Sequence, residues 1–152
     1  MKRIASFAVN HDKLKPGMYT SRIDGDITTY DIRMVYPNAG AYIEPAAGHT
    51  FEHLFATYAR NSRFEQHIIY CGPMGCQTGF YFLVRDLAQE DAIRLVYETM
   101  AFIAGYEGEI PGASRVECGN YLLHDLTGAK CLAASMIPVL RDWTTDKLEY
   151  EK

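Results

Sequence analysis

Residues 46–60, AAGHTFEHLFATYAR, hold the pattern on which both the fold and the chemistry depend. Apolar side chains recur there at steps of three and four residues: Phe51, Leu54, Phe55 and Tyr58. This spacing predicts an amphipathic helix from about residue 47 to residue 61, with one stripe buried against the core.

The same helix carries a possible metal-binding motif. His49 and His53 are four residues apart, and Glu52 directly precedes the second histidine. Residues at this spacing share one helical face, so both imidazoles could bind one metal while the carboxylate reaches the same space. The pattern H-x-x-E-H is the inverse of the zincin motif. The alternative is a chance arrangement of three polar residues on a solvated face.

The flanking segments predict an antiparallel sheet with further helices. Residues 19–37 are typical of a hairpin that turns at Asp24-Gly25-Asp26, and residues 66–71 and 78–86 of two more strands joined by the tight link GPMGC. Residues 88–105 predict a helix for which Gly105 suits the C′ position. Residues 125–137 predict another that Pro138 should end or kink, with a helical tail up to residue 148. We therefore expect an α+β fold over a single domain, residues 1–152.

Composition excludes several classes of protein. Apolar residues make up 48% of the 152 residues, charged residues make up 22%, and the net charge is −4. Since there is no basic tract, nucleic-acid binding is not expected. No apolar run is long enough to span a bilayer, and the N-terminus lacks the apolar segment of a signal peptide. A cytoplasmic location is the expectation.

A catalytic metal site needs a third protein ligand and an open position. The candidates are Cys76, Cys118, His124 and several carboxylates. Cys118 lies in a loop beside a glycine, although a free cysteine is more often a packed apolar residue. His124 precedes a predicted helix and is interpreted as a surface or capping residue. Cys71 and Cys131 are interpreted as packing residues.

Other side chains are ambiguous when taken singly. Cys76 ends a turn bracketed by glycines. A nearby cation there would favour the thiolate, which could act as a base or nucleophile. The alternative is that Cys76 packs in the core. Arg33 near the end of an apolar strand is typical of a surface salt bridge. Ser6 and His11 indicate nothing alone.

Five motifs in order resemble the S-ribosylhomocysteine lyase (LuxS) family: SFAVNH, YDIRM, HTFEHLFA, PMGCQTGFY and CGNYLLHDLTGAK. They span residues 6–130. The resemblance implies a fold like that of H-x-x-E-H peptidases. It implies cleavage of S-ribosylhomocysteine to homocysteine and 4,5-dihydroxy-2,3-pentanedione, the precursor of autoinducer-2. The product would serve quorum sensing or only the methyl cycle of methionine metabolism.

The resemblance also implies roles for individual residues. His49, His53 and Cys118 would bind one divalent metal per subunit, Fe²⁺ that Zn²⁺ or Co²⁺ can replace. Glu52 and Cys76 would be the acid/base pair. The ribose would contact the following residues: Ser6, His11 and Arg33. The assembly would be a homodimer with active sites near the interface, to which the partner contributes the N-terminal segment.

Two rivals remain on the residues alone. In a small metallopeptidase, Glu52 would activate a metal-bound water and Cys76 would be dispensable. In a non-enzymatic domain, Cys76 would complete a closed structural zinc site. One departure from the family concerns substrate binding: Tyr70-Cys71-Gly72 stand where many members carry Asp-Ile-Ser, next to the expected homocysteine pocket. Asn10 likewise stands where an acidic residue is common before His11.

Overall fold

The computed structural model of the protein describes residues 1–152 and contains four helices and four strands. In chain order they are α1 (Ala5–Ala8), β1 (Gly17–Asp24), β2 (Ile27–Arg33), α2 (Pro45–Arg60), β3 (Ile68–Pro73), β4 (Gly79–Arg85), α3 (Gln89–Ala104) and α4 (Leu126–Leu140). Two short 3-10 helices, Glu65–His67 and Thr145–Leu148, complete the set.

The strands form one antiparallel sheet in the order β1-β2-β4-β3. The β1–β2 hairpin turns at Gly25, whose φ of +62° suits a residue without Cβ. β2 and β4 pair along their whole length, and Arg33 lies opposite Gly79. The predicted α+β class, with an antiparallel sheet and helices, is confirmed.

Helix α2 packs its apolar stripe on the sheet as its spacing predicted. The rings of Phe51 and Phe80 pack at a tilt with centroids 4.6 Å apart, and those of Phe55 and Phe82 pack edge to face at 5.1 Å. These side chains belong to one cluster of 25 buried residues to which all four strands and helices α2, α3 and α4 contribute. With its apolar stripe against this core, α2 turns its other faces, and with them its two histidines, away from it.

Two local predictions are wrong, and a third is wrong in part. Pro138 does not end α4, which continues to Leu140, because the proline removes only its own ladder hydrogen bond and Leu140 is anchored in the core. The predicted kink at Pro138 stays a prediction. Gly105 ends α3 at φ −95°, outside the left-handed region. Cys131 is exposed on α4 rather than packed. No helix is both long and apolar enough to cross a membrane.

Candidate metal centre and the adjoining thiol site

Four side chains bring metal-binding atoms into one small space. The donor atoms of His49, His53, Cys118 and His124 all lie within 4.8 Å of one another. Cys118 Sγ is 3.4 Å from His49 Nε2 and 3.9 Å from His53 Nε2. The two histidines come from one face of α2, while Cys118 and His124 come from the long segment before α4.

Backbone carbonyls set the orientation of both α2 histidines. Nδ1 of His49 lies 2.6 Å from the carbonyl oxygen of Leu123, and Nδ1 of His53 lies 2.8 Å from that of Pro111. A carbonyl only accepts, so each Nδ1 carries the proton and donates it. The lone pair of each Nε2 is therefore free and faces Cys118, as in metal sites where the outer nitrogen is held by a carbonyl.

Residues 106–125 form no regular helix or strand, yet they are held against α2. Gly112 has φ +68°, and a Cβ there would lie 3.4 Å from His53 Nδ1. This conformation, which suits glycine, turns the chain so that the carbonyl of Pro111 reaches the imidazole. Local backbone geometry in the loop thus supports the tautomer of a residue on α2.

His124 is held beside the cluster by the start of α4. The Asp125 side chain accepts from Gly128 N–H and caps the helix, while Asp125 N–H donates to the buried Thr50 hydroxyl. Thr50 Oγ1 also lies 2.9 Å from His124 Nδ1. The His124 ring stacks on that of His49 with centroids 4.0 Å apart, and His124 Nε2 is 3.9 Å from Cys118 Sγ. The interpretation of His124 as a surface or capping residue is wrong.

The pKa of His124 reflects its burial and its position beside the other two histidines. Burial, and then the charges of His49 and His53, lower the pKa of His124 below its usual value. The neutral imidazole is the form that binds metals.

The donor set fits a transition metal. Metal–nitrogen and metal–sulfur bonds of about 2.0 and 2.3 Å at a tetrahedral angle place N and S about 3.5 Å apart. The two measured separations of Cys118 Sγ from His49 and His53, 3.4 and 3.9 Å, bracket this value. Imidazole with thiolate favours Zn²⁺ or Fe²⁺ over Mg²⁺ or Ca²⁺.

A second group of polar side chains surrounds Cys76, in the turn between β3 and β4. Its Sγ lies 3.0 Å from the Thr78 hydroxyl and 3.8 Å from Nη1 of Arg33. Nη1 also donates to Thr78 Oγ1 at 2.6 Å, so the hydroxyl proton is free to point at the sulfur. The thiol is exposed. A cation and a hydroxyl group therefore lie beside an exposed sulfur.

Arg33 is part of a buried ion pair, not the surface salt bridge that its residue type suggested. It makes a bidentate contact with Asp31, Nε to Oδ1 at 3.1 Å and Nη2 to Oδ2 at 2.6 Å. The two side chains are 4% and 2% exposed. Burial lowers the pKa of Arg33, but the hydrogen bond to Asp31 and its charge outweigh burial, so the pKa is raised overall.

The predicted ribose contacts lie together around this thiol. A cavity of about 250 Å³ is lined by Ser6, His11, Arg33 and Cys76, and also by Asp31 and Tyr150. Ser6 lies in α1 and His11 in the turn after it. Residues that are far apart in the sequence and ambiguous singly are therefore neighbours.

Glu52 lies in a different cavity, on the metal side of the turn. That cavity has a volume of about 350 Å³ and includes His49 and Glu52. Met74 and Gly75 line both cavities, so the turn 73–77 forms a wall between them. Within one chain, the proposed acid/base residues Cys76 and Glu52 line separate cavities.

The departing residues Tyr70-Cys71-Gly72 line neither cavity. Tyr70 is half exposed, and its ring folds over Gly72, where a side chain would collide with it. Cys71 is buried in the core cluster, and burial, followed by the charge of Glu52, raises its pKa. None of the three departing residues therefore forms part of the wall of either cavity.

Fold and site together define a small α+β protein with a histidine–cysteine cluster that could hold a metal. The family model described as S-Ribosylhomocysteinase (LuxS) matches residues 4–147. A protein named S-ribosylhomocysteine lyase from Phocaeicola vulgatus is 48% identical over 99% of this chain and 98% of its own length. Proteins of that name from Clostridium acetobutylicum and Borreliella burgdorferi are 44% and 42% identical over 99% of both chains.

The chain belongs to the S-ribosylhomocysteinase (LuxS) family, so the predicted family and its assignment as an enzyme of the carbon–sulfur lyase type are confirmed.

Proposed function

We propose that residues 1–152 act as one lyase domain that cleaves S-ribosylhomocysteine to homocysteine and 4,5-dihydroxy-2,3-pentanedione by carbonyl migration and β-elimination. The observation that carries this proposal is the pairing of two sites: a histidine–cysteine cluster that could hold a metal near Glu52, and a thiol in contact with Arg33 across the turn 73–77. The relatives described above are named S-ribosylhomocysteine lyase, which supports the substrate and the reaction class.

His49, His53 and Cys118 would hold one divalent metal per subunit. When bound, the metal supplies a Lewis acid that polarises a sugar carbonyl or hydroxyl and makes the adjacent C–H more acidic. The thiolate ligand suits Fe²⁺, with Zn²⁺ or Co²⁺ as substitutes. Cysteines kept as thiols and a ferrous ion would both fit a reducing compartment, so we propose the cytoplasm.

Cys76 would move the protons of the sugar during carbonyl migration. As a thiolate between Arg33 and Thr78, it can take a proton from one carbon and return it to the next. Arg33 keeps its charge at every working pH, so the stabilisation of the thiolate persists through the cycle.

Glu52 would act from the opposite side of the turn. Its carboxylate lines the metal-side cavity with His49, so it can exchange protons with the sugar hydroxyls and assist loss of the thioether. Homocysteine would leave once the carbonyl lies two carbons away from the carbon that bears the sulfur. The C–H of the carbon between them is then acidic enough for β-elimination.

Ser6, His11 and Arg33 would bind the ribose hydroxyls. Since the wall 73–77 separates Cys76 from Glu52 within one chain, a second copy of this chain offers a way to bring a thiol site against a metal site. We propose a homodimer with its active sites at the interface. Exposed apolar residues near both sites agree with such an interface: Ile4, Phe7, Leu122 and Leu123.

One observation favours a second candidate, a structural metal site. His124 brings a fourth donor to the cluster, and four protein ligands are typical of structural zinc. Cys76 is not that fourth donor, because its sulfur contacts Arg33 and Thr78 instead. A peptidase has less support, since its chemistry has no use for the thiol site.

The decisive experiment is a thiol-release assay. Purified protein loaded anaerobically with Fe²⁺, or with Co²⁺, is mixed with S-ribosylhomocysteine, and free homocysteine is measured with a thiol reagent against a protein blank. We expect homocysteine and the pentanedione in equal amounts. No release by fully metal-loaded protein would refute the lyase and leave the structural site, and peptide cleavage that survives Cys76→Ala would instead favour the peptidase.

A further inference from the structure

A tyrosine from the end of the chain closes one side of the thiol cavity. Tyr150 follows the 3-10 helix Thr145–Leu148, and its hydroxyl donates to Asp31 Oδ2 at 2.7 Å. Its ring stacks on Tyr19, with centroids 5.1 Å apart and planes 18° from parallel. The residue lines the same cavity as Cys76. The sequence pattern offered no reason to single it out.

The contact with Asp31 joins a chain of contacts that ends at the thiol. Asp31 accepts from Tyr150 and from two nitrogens of Arg33, and Arg33 then reaches Cys76. Burial, and then the charge of Asp31, raise the pKa of Tyr150 well above its usual value. The phenol therefore remains a donor throughout the pH range in which the thiolate would work.

We propose that Tyr150 is a positioning residue for the lyase reaction: its hydroxyl fixes Asp31, and through Asp31 it sets how Arg33 meets the Cys76 sulfur. The inference rests on the proposed function for the meaning of Arg33 and Cys76 in turnover, but the contacts themselves do not depend on it.

The physical reason is competition for the guanidinium. Arg33 is shared between a carboxylate and a sulfur. A phenol that donates to Oδ2 spreads the negative charge of Asp31 and reduces its hold on Arg33. Without that donor, the carboxylate attracts Arg33 more strongly and admits water on its cavity side, and both changes weaken the stabilisation of the thiolate.

The alternative is that Tyr150 only anchors the C-terminal segment by stacking. Tyr150→Phe separates the two roles, because the ring and its stack on Tyr19 remain while the hydroxyl is lost. Tyr19→Phe is the matched control: it removes a hydroxyl from the same stack, one that donates to the Lys15 carbonyl at 2.9 Å and not to Asp31.

The test measures Cys76 directly. Alkylation by iodoacetamide is followed between pH 5 and pH 9, a range that includes the reference pKa of a cysteine thiol, about 8.5. The modified residue is identified by peptide mass. We expect Tyr150→Phe to slow alkylation of Cys76 at neutral pH about threefold to tenfold, the scale of a hydrogen bond to a charged group that is partly transmitted. The rate–pH curve should move toward higher pH. Tyr19→Phe should match wild type.

Turnover supplies an independent readout. In the homocysteine-release assay, Tyr150→Phe should lower kcat by a similar factor, with KM close to wild type. An unchanged alkylation profile in Tyr150→Phe would overturn the proposal, as would equal effects in Tyr150→Phe and Tyr19→Phe, since either result leaves only an anchoring role. If wild-type protein releases no homocysteine, the proposed function fails, yet the alkylation result still decides the role of Tyr150.

Discussion

The guanidinium of Arg33 links a buried carboxylate to an exposed thiol: Nη2 donates to Asp31 Oδ2 at 2.6 Å, and Nη1 lies 3.8 Å from Cys76 Sγ. The two contacts oppose each other. The Asp31 carboxylate holds the Arg33 guanidinium in place and partly neutralises its positive charge. The remaining positive charge of Arg33 acts on the Cys76 sulfur.

Replacing Arg33 should damage both stability and thiol reactivity. Arg33→Met leaves Asp31 charged and unpaired in a site that is 2% exposed, so the free energy of unfolding should fall by about 3–5 kcal/mol. Denaturant titration measures the loss, and Cys76 should also alkylate more slowly. Arg22→Met is the control: it breaks an exposed pair with Asp24 and should leave both quantities unchanged. Equal effects in the two variants would contradict a special role for the buried pair.

Removing one imidazole from α2 should remove the metal. We expect His53→Ala to weaken Co²⁺ binding by more than about 100-fold, beyond the effect usual for an outer partner of a ligand. Metal content after gel filtration and the visible spectrum of the Co²⁺ form measure the change. His67→Ala is the control, because that ring donates to the Arg85 carbonyl outside the cluster. Full metal content in His53→Ala would exclude His53 from the ligands.

Removing the exposed thiol should separate metal binding from turnover. Cys76→Ala should retain stoichiometric metal while homocysteine release falls by about 10²-fold to 10⁴-fold, the usual contribution of a general base. Cys131 is also exposed but lies on α4, so Cys131→Ala should leave metal content and homocysteine release unchanged. Loss of metal from Cys76→Ala would instead assign the sulfur to the metal centre and favour the structural site.

Gly79 allows the strand contact that places Arg33 beside the β3–β4 turn. A Cβ at Gly79 would collide with the backbone carbonyl of Ile32 on β2. Gly79→Ala should therefore lower the free energy of unfolding by about 1–3 kcal/mol, as overpacking does, and the thermal midpoint should drop with it. Gly75→Ala meets no atom within 4 Å and should keep wild-type stability. A wild-type midpoint in Gly79→Ala would show that β2 and β4 can separate without cost.

Alkaline pH should destabilise the fold through its tyrosines. Burial is the first cause of a raised pKa in Tyr19, Tyr30, Tyr81 and Tyr150. The folded state keeps these phenol protons above pH 10, whereas the unfolded state releases them. The contribution of the four tyrosines to the free energy of unfolding is therefore fully present below about pH 10 and is lost as pH rises further. Thermal midpoints measured across that range should fall, and less steeply in Tyr150→Phe. Identical slopes would exclude Tyr150 as a contributor.

Local sequence patterns predicted the parts of this structure that depend on neighbours in the chain. The stripe beginning at Phe51 defined α2, and the Asp24-Gly25-Asp26 turn defined the first hairpin, because period and turn chemistry act within a few residues. The proximity of His49 and His53 follows from helical spacing alone. Their proximity to Cys118 could be expected only from the family resemblance.

Contacts across long sequence separations were not predictable in this way. His124 reaches the cluster because Thr50 on α2 binds the first turn of α4, a packing contact that leaves no periodic signal. Arg33 looked like a surface residue because its partners depend on strand pairing and on a distant C-terminal tyrosine. Cys131 was misassigned because a cysteine on a helix can lie on either face. One usable signal was present: a histidine six residues after a candidate ligand cysteine.

Residues 106–125, which carry Cys118 to α2, have a consequence for the folding of the whole chain. A metal bound to both Cys118 and His53 would act as a removable cross-link that closes the chain from residue 53 to residue 118. Because an unfolded chain rarely holds such ligands together, the free energy of metal binding would add directly to the free energy of folding. Metal supply would then control more than activity, because metal-free protein would unfold more readily than metal-loaded protein.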